Sequence, residues 1–179
     1  MLYVIAYILS LLPFRILFAV SDVLAWLACD VVRYRRSAVR GNLESSFPEK
    51  SCEEIRKIEK RFYRFLCDYF METLKLASMS EKKMRRHLKV ENIEEINDAV
   101  EKGQSVTLYL GHYCNWEWVS SLPLHISSAA RCAQIYHPLE NKAFDRLLYK
   151  LRTRFDANNI PMSEIMQRLV RWKKEGVPT

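Results

Sequence analysis

The chain predicts an α/β fold: an N-terminal membrane-anchor helix, a helical segment, then an incomplete, mostly parallel sheet flanked by helices. Three observations carry that expectation. Residues 1–32 hold only Arg15, Asp22 and Asp30 as charges. A capping box, Ser51-x-x-Glu54, opens a long stretch of helical periodicity. From Leu88 onward short apolar runs alternate with amphipathic stretches, the rhythm of strands joined by crossover helices. Two regions are expected: residues 1–36 as a hydrophobic anchor with a basic flank, and residues 37–179 as the N-terminal part of an α/β domain.

The anchor comes first. Residues 1–12 are uncharged, Pro13 interrupts them, and residues 14–32 are again largely apolar. A secretory signal would begin with basic residues and end at a small-residue cleavage site. Here Arg33, Arg35, Arg36 and Arg40 come after the apolar stretch instead, with no acid between Asp30 and Glu44. That order places the flank, and the chain beyond it, on the cytoplasmic side. One helix of about 20 residues can span a bilayer; a helix broken at Pro13 can lie in it as a re-entrant or interfacial anchor. A buried core helix of a soluble protein is the alternative. Arg15 and Asp22 share a helical face and argue against a clean span.

After the capping box, Ile55, Ile58, Phe62, Phe65, Leu66, Tyr69 and Leu76 keep helical spacing, so a helix is expected to end near Ser78. Ser80 caps a short basic helix through Lys82, Lys83, Arg85 and Arg86. Residues 92–102 read as a helix stopped by Gly103. Residues 105–110 read as a buried strand, and 116–122 as a short helix ended by Pro123. A second strand is expected at 131–136, a periodic helix at 141–155, a short third strand at 159–161, and a helix at 163–175 closed by Gly176. The final Gly176-Val-Pro-Thr179 looks like the approach to another strand, so the sheet is expected to be completed beyond residue 179.

Bulk properties narrow the function. A length of 179 residues allows one domain, or one with an appendage. The 49% hydrophobic content excludes wholesale disorder. A net charge of +7 favours phosphates, anionic lipid surfaces or acidic proteins as partners. Nucleic acid is compatible with the charge, but no binding motif or aromatic platform accompanies it. The 5 cysteines are scattered without a Cys-x-x-Cys pair, so neither a disulfide framework nor a zinc site is implied and the thiols are expected to be reduced.

Leu108-Tyr-Leu-Gly-His112-Tyr-Cys-Asn-Trp-Glu117 carries the chemistry. An apolar run ends at Gly111 and delivers His112 to an accessible rim. Residues five apart lie roughly 140° apart on a helix, so His112 and Glu117 can meet only across a strand–loop–helix junction, with Glu117 in the first turn of the helix. A carboxylate there can orient an imidazole and stabilise it once protonated, as a general base requires. His87, His125 and His137 have no carboxylate at useful spacing, and no His-Glu-x-x-His motif exists, which disfavours a catalytic metal. Neither a nucleotide-binding glycine loop nor a Gly-x-Ser-x-Gly elbow occurs. Cys114 beside His112 leaves a thiol nucleophile conceivable. In the helix at 141–155, Phe144, Leu147, Leu148, Leu151 and Phe155 form an apolar stripe. Lys142, Arg146, Lys150 and Arg154 form a basic ridge beside Arg152. That ridge reads either as a solvated face or as a contact for phosphate or an acidic protein.

Gly111-His112-Tyr113-Cys114-Asn115-Trp116-Glu117 resembles the active-site block of the late-acting lipid A biosynthesis acyltransferases, of the lysophospholipid acyltransferase superfamily with its His-x4-Asp/Glu motif. Arg33-Tyr-Arg-Arg with Gly41-Asn42-Leu43 and Phe47-Pro48 is similar to the family's juxtamembrane stretch. Tyr136-x-Pro138-x-x-Asn141-x-x-Phe144-Asp145-Arg146 and Arg152-x-Arg154-Phe155 resemble its next blocks. The resemblance implies a glycerolipid-acyltransferase-like fold on the cytoplasmic face of the bacterial inner membrane. It implies acyl transfer from an acyl thioester on acyl carrier protein to a hydroxyl of a lipid A precursor, without cofactor, metal or nucleic acid. His112 would be the base and Glu117 its support. Asn115, Asn141, Arg146, Arg152 and Arg154 would bind substrate, with Asn115 either donating to the developing oxyanion or capping the next helix. Cys114 and Asp156 stand where the family is expected to have glycine. The alternative is a membrane-associated fragment that binds anionic lipid without catalysis.

Overall fold

Pro13 lacks an amide hydrogen and has its φ held at −58°, so it can precede a helix but cannot continue one. In a computed structural model describing residues 1–127 and 130–178, the apolar N-terminus accordingly splits into α1 (Leu2–Ser10) and α2 (Phe14–Trp26). Helix α2 runs on into a π turn at Leu27–Val31. Among the described residues no single helix is long and apolar enough to cross a membrane; Leu2–Ser10 and Phe14–Val31 reach that length and composition only as a pair broken at Pro13. The expected anchor is therefore not one helix.

The chain forms two compact units, Leu11–Glu72 and Met1–Ser10 with Thr73–Thr179. The Leu11–Glu72 unit contains α2, α3 (Arg36–Ser46) and all but the last turn of α4 (Cys52–Lys75). The capping box forms: the Glu54 carboxylate accepts from the Ser51 amide at 2.9 Å, and the Ser51 hydroxyl accepts from the Glu54 amide at 3.4 Å. Small residues let the helices approach, with Ala25 and Cys29 packed against Tyr63 and Cys67. The Tyr63 hydroxyl donates to the Tyr34 carbonyl at 2.5 Å.

Glu59 is wholly buried in α4. It accepts from Arg36 Nε at 2.8 Å and Arg40 Nη2 at 2.5 Å, which fastens α3 to α4. Asp22, one of the charges inside the apolar stretch, pairs with Arg64 at 2.6 Å. Helix α2 leaves Ile16, Val20, Val23, Leu24 and Trp26 exposed.

In the other unit, Ser80 caps α5 (Glu81–His87), accepting from the Lys83 amide. Helix α6 (Ile93–Glu101) ends at Gly103, whose φ of +75° supplies the left-handed turn. The strand expected at 105–110 is not formed. An apolar run becomes a strand only where a neighbouring backbone completes its ladder, and here Leu108, Tyr109 and Leu110 are exposed instead. Residues 116–122 form a 3-10 helix, Trp116–Leu124, that takes Pro123 inside it rather than ending before it.

Strand β1 (Ala133–Tyr136) pairs in parallel with β2 (Asn158–Pro161), with Gln134 opposite Asn159 and Ile135 opposite Ile160. The crossover between them is α7 (Lys142–Arg152), shorter at its end than expected. Met162–Glu164 makes one 3-10 turn before α8 (Ile165–Lys174), and Gly176 comes next at φ +68°. Thr179 lies outside the described residues; Pro178 accepts from the Arg131 amide at 2.9 Å. Helix α1 belongs to this unit and packs on α7, where the Lys150 ammonium sits 4.9 Å from the Tyr3 ring centre. The C-terminal end of α1 is held by Lys75 Nζ and Ser78 Oγ, each 2.7 Å from the Ser10 carbonyl.

Burial pushes the Glu59 carboxyl up, but the hydrogen bonds from Arg36 and Arg40 outweigh it and hold the group below the usual carboxylate range. A depressed folded value contributes stability that is fully present above the ordinary carboxylate value. That contribution is lost as pH falls through the depressed one. Glu59→Gln is therefore predicted to cost about 2 kcal/mol at neutral pH, less than breaking a fully buried pair because both guanidinium groups reach water. Urea unfolding followed from pH 7 to pH 3 should show a flatter acid limb in the variant; an unchanged limb would remove Glu59 from the account.

Candidate active site

Gly111 turns the chain out of the apolar run, and His112 comes after it into solvent. The imidazole meets the Trp116 ring edge-on, with centres 4.8 Å apart. Cys114 then takes a φ of +52°, and Asp156 after α7 takes +62°. These are the two positions that the sequence resemblance assigns to glycine. Their left-handed backbone is the conformation glycine adopts without penalty, and it costs another L-residue roughly 1–2 kcal/mol.

The turn at Cys114 leads into the 3-10 helix, whose first turn carries Glu117. Its carboxylate is only 3% exposed. Arg152, at the end of α7, meets it with both arms of the fork: Nε lies 2.7 Å from Oε2 and Nη2 lies 2.6 Å from Oε1. Such bidentate geometry is what makes arginine the favoured partner for a buried carboxylate. The same guanidinium lies 5.9 Å from the Tyr136 ring centre.

These groups surround a cavity of about 260 Å³ lined by His112, Trp116, Glu117, Gln134, Ile135, Tyr136, His137, Leu139 and Arg152. Burial, then the Asp145 carboxylate, push the Tyr136 phenol up, so it stays protonated at neutral pH. A larger hollow of about 620 Å³ lies along α8, but it is an open groove between side chains of one helix and holds no histidine. Among the described residues no group of three or more His, Cys, Asp or Glu side chains is placed to hold a metal ion.

The sequence-derived site residues divide. His112, Glu117 and Arg152 come together on the cavity wall, and Arg152 is occupied with Glu117. Asn115 precedes the 3-10 helix without capping it through its side chain, which instead accepts from Thr73 Oγ1 at 3.5 Å. Asn141 is the cap of α7, accepting from the Ala143 and Phe144 amides at 3.0 and 3.3 Å. Arg146 is a surface residue donating to its own helix at the Lys142 carbonyl. Arg154 donates to the Leu76 and Met79 carbonyls and fastens the chain after α4. None of Asn115, Asn141, Arg146 and Arg154 lines the cavity. With Lys150 on Tyr3 and Arg154 on carbonyls, half of the basic ridge is internal fastening. The side chains that sequence reasoning missed are those of β1, above all Gln134 and Ile135. Only Tyr136 carried a signal, through its Tyr-x-Pro block.

Compared with known protein families, the chain matches the bacterial lipid A biosynthesis acyltransferases over residues 1–177. The chain belongs to that family. No curated protein and no solved structure matches it. Membership of the lipid A biosynthesis acyltransferases makes acyl transfer the general activity.

Removing the guanidinium from Glu117 exposes how much the site rests on it. Arg152→Gln is predicted to destabilise the fold by about 3 kcal/mol, the usual cost of stripping one partner from a buried pair. Arg152→Lys should recover part of that, because an ammonium restores charge but not the second contact. Chemical denaturation of the three proteins tests this; equal midpoints would show that Glu117 does not depend on Arg152.

Proposed function

We propose that this chain transfers a fatty acyl group from acyl carrier protein to a hydroxyl of a lipid A precursor, with His112 as general base. The observation that supports it is the shared cavity: His112 at its rim, and Glu117, held by Arg152, in its wall. His112 takes the proton of the acceptor hydroxyl as its oxygen attacks the thioester carbonyl carbon. The tetrahedral adduct collapses with cleavage of the C–S bond, and the imidazolium returns its proton to the departing thiolate. An ester and a free thiol result. General-base help of this kind contributes about 10²–10⁴-fold. Glu117 offsets the transient positive charge on His112, while Trp116 packs against the ring and limits its orientations. No covalent enzyme intermediate enters, so Cys114 has no chemical part.

The membrane side of the reading rests on the exposed apolar faces of α1 and α2 and on the arginines that come after them. Val4, Ile5, Ile8 and Leu9 are exposed on α1, and Ile16, Val20 and Val23 on α2. With Arg33 and Arg35 beyond the π turn, this segment fits an interfacial anchor on the cytoplasmic face of the inner membrane. The alternative, anionic-lipid binding without catalysis, uses the same surface and leaves His112 idle.

His112→Ala should lower acyl transfer at least about a hundredfold without changing the unfolding midpoint, and Glu117→Gln should reduce kcat more than it raises KM. The assay is transfer of labelled acyl chain from acyl carrier protein to a lipid A precursor in detergent. Full activity in His112→Ala rejects the mechanism. Separately, the full chain should sediment with membranes through a high-salt wash, and deletion of residues 1–32 should release it; a soluble full chain without detergent rejects the anchor.

A further inference from the structure

Three polar atoms on two neighbouring side chains of the sheet have no partner in the protein: Gln134 Nε2, Asn159 Nδ2 and Asn159 Oδ1 are all buried and unbonded. The two residues stand in register across β1 and β2, which puts their side chains on one face of the sheet. Buried amides are bonded in nearly all native proteins, and an orphan marks either a cost or a missing partner. Gln134 also lines the cavity that holds His112 and Glu117. Asn159 does not.

We propose that the Gln134 side-chain amide is a substrate-binding residue of this cavity, donating a hydrogen bond to an uncharged carbonyl or hydroxyl oxygen of the bound substrate. The other polar side chains of the wall argue for an uncharged oxygen. Glu117 lines the same space and disfavours a second anion there, and the Arg152 fork is already turned to Glu117. A neutral donor beside them matches a neutral acceptor. The terminal torsion of glutamine is broad and soft, so a turn of the amide carries its N–H from the wall into the cavity without moving β1. The role is binding rather than proton transfer, and it rests on the acyl-transfer reading of the same cavity.

Gln134→Met keeps length and volume and removes the amide. In the full chain in detergent, with acyl carrier protein thioester and a lipid A precursor, this variant should raise KM about fivefold to tenfold, the equivalent of one neutral hydrogen bond. The kcat should stay within about twofold. The unfolding midpoint should be unchanged or higher, because a buried donor without a partner has been taken away. A KM equal to that of the parent protein overturns the proposal. So does a lowered midpoint, which would show the amide to be structural and bonded to Asn159. If the parent protein is folded but transfers no acyl group, the acyl-transfer reading itself falls and this assignment with it. If the parent turns over and Gln134→Met matches it, only the Gln134 assignment is lost.

Discussion

A carboxylate taken out of water has to be met by charge, and Glu117 is met by both arms of Arg152. The two residues come from a 3-10 helix and from the last turn of α7, so their contact joins the loop that carries His112 to the crossover that joins the two strands. Each neighbouring feature serves that junction. Leu147 and Leu151 bury the inner face of α7. Asn141 fixes its start, and Arg154, just beyond its end, fastens it to the Leu76 and Met79 carbonyls. The cavity exists where it does because β1 runs past the point at which these pieces meet.

The Leu11–Glu72 unit solves a similar problem with the roles doubled, two guanidinium groups on one carboxylate at Glu59. There the pair binds helix to helix and lines neither the site cavity nor the groove along α8, so burial serves architecture. Glu117 differs in having open volume on one side. A buried ion pair is weak evidence for stability in itself; this one also lines a cavity together with the exposed His112.

What could be read from the residues tracked the range of the interaction. The capping box at Ser51, the Ser80 cap and the left-handed stops at Gly103 and Gly176 depend on atoms within a few positions, and each stands where the spacing put it. Glu117 in the first turn after its loop was legible for the same reason. The strand expected at 105–110 was not formed, because an apolar run carries no information about whether a partner backbone lies beside it. Lys150 and Arg154 were grouped by periodicity in one basic ridge with Arg152 beside it, yet the three meet different partners, the Tyr3 ring, the Leu76 and Met79 carbonyls and Glu117, that no spacing names. Gln134 gave no signal at all: it became noticeable only when its amide was found without a partner in a cavity wall.

The parallel pairing of β1 with β2 has a consequence for the order in which this molecule is made. Parallel neighbours cannot be closed by a tight turn, so the ladder waits until α7 has formed and swung back across it. The entropy of that closure is spent before any ladder bond returns it, which makes such contacts late ones during folding. Arg152 travels with α7, and Glu117 therefore meets its counter-charge only when the crossover docks. Helices can assemble early on local contacts, but the cavity has no floor and no balanced carboxylate until the end. The Glu117–Arg152 contact and the cavity beside it would then be the last features a newly made chain acquires, and the first to go when α7 loosens.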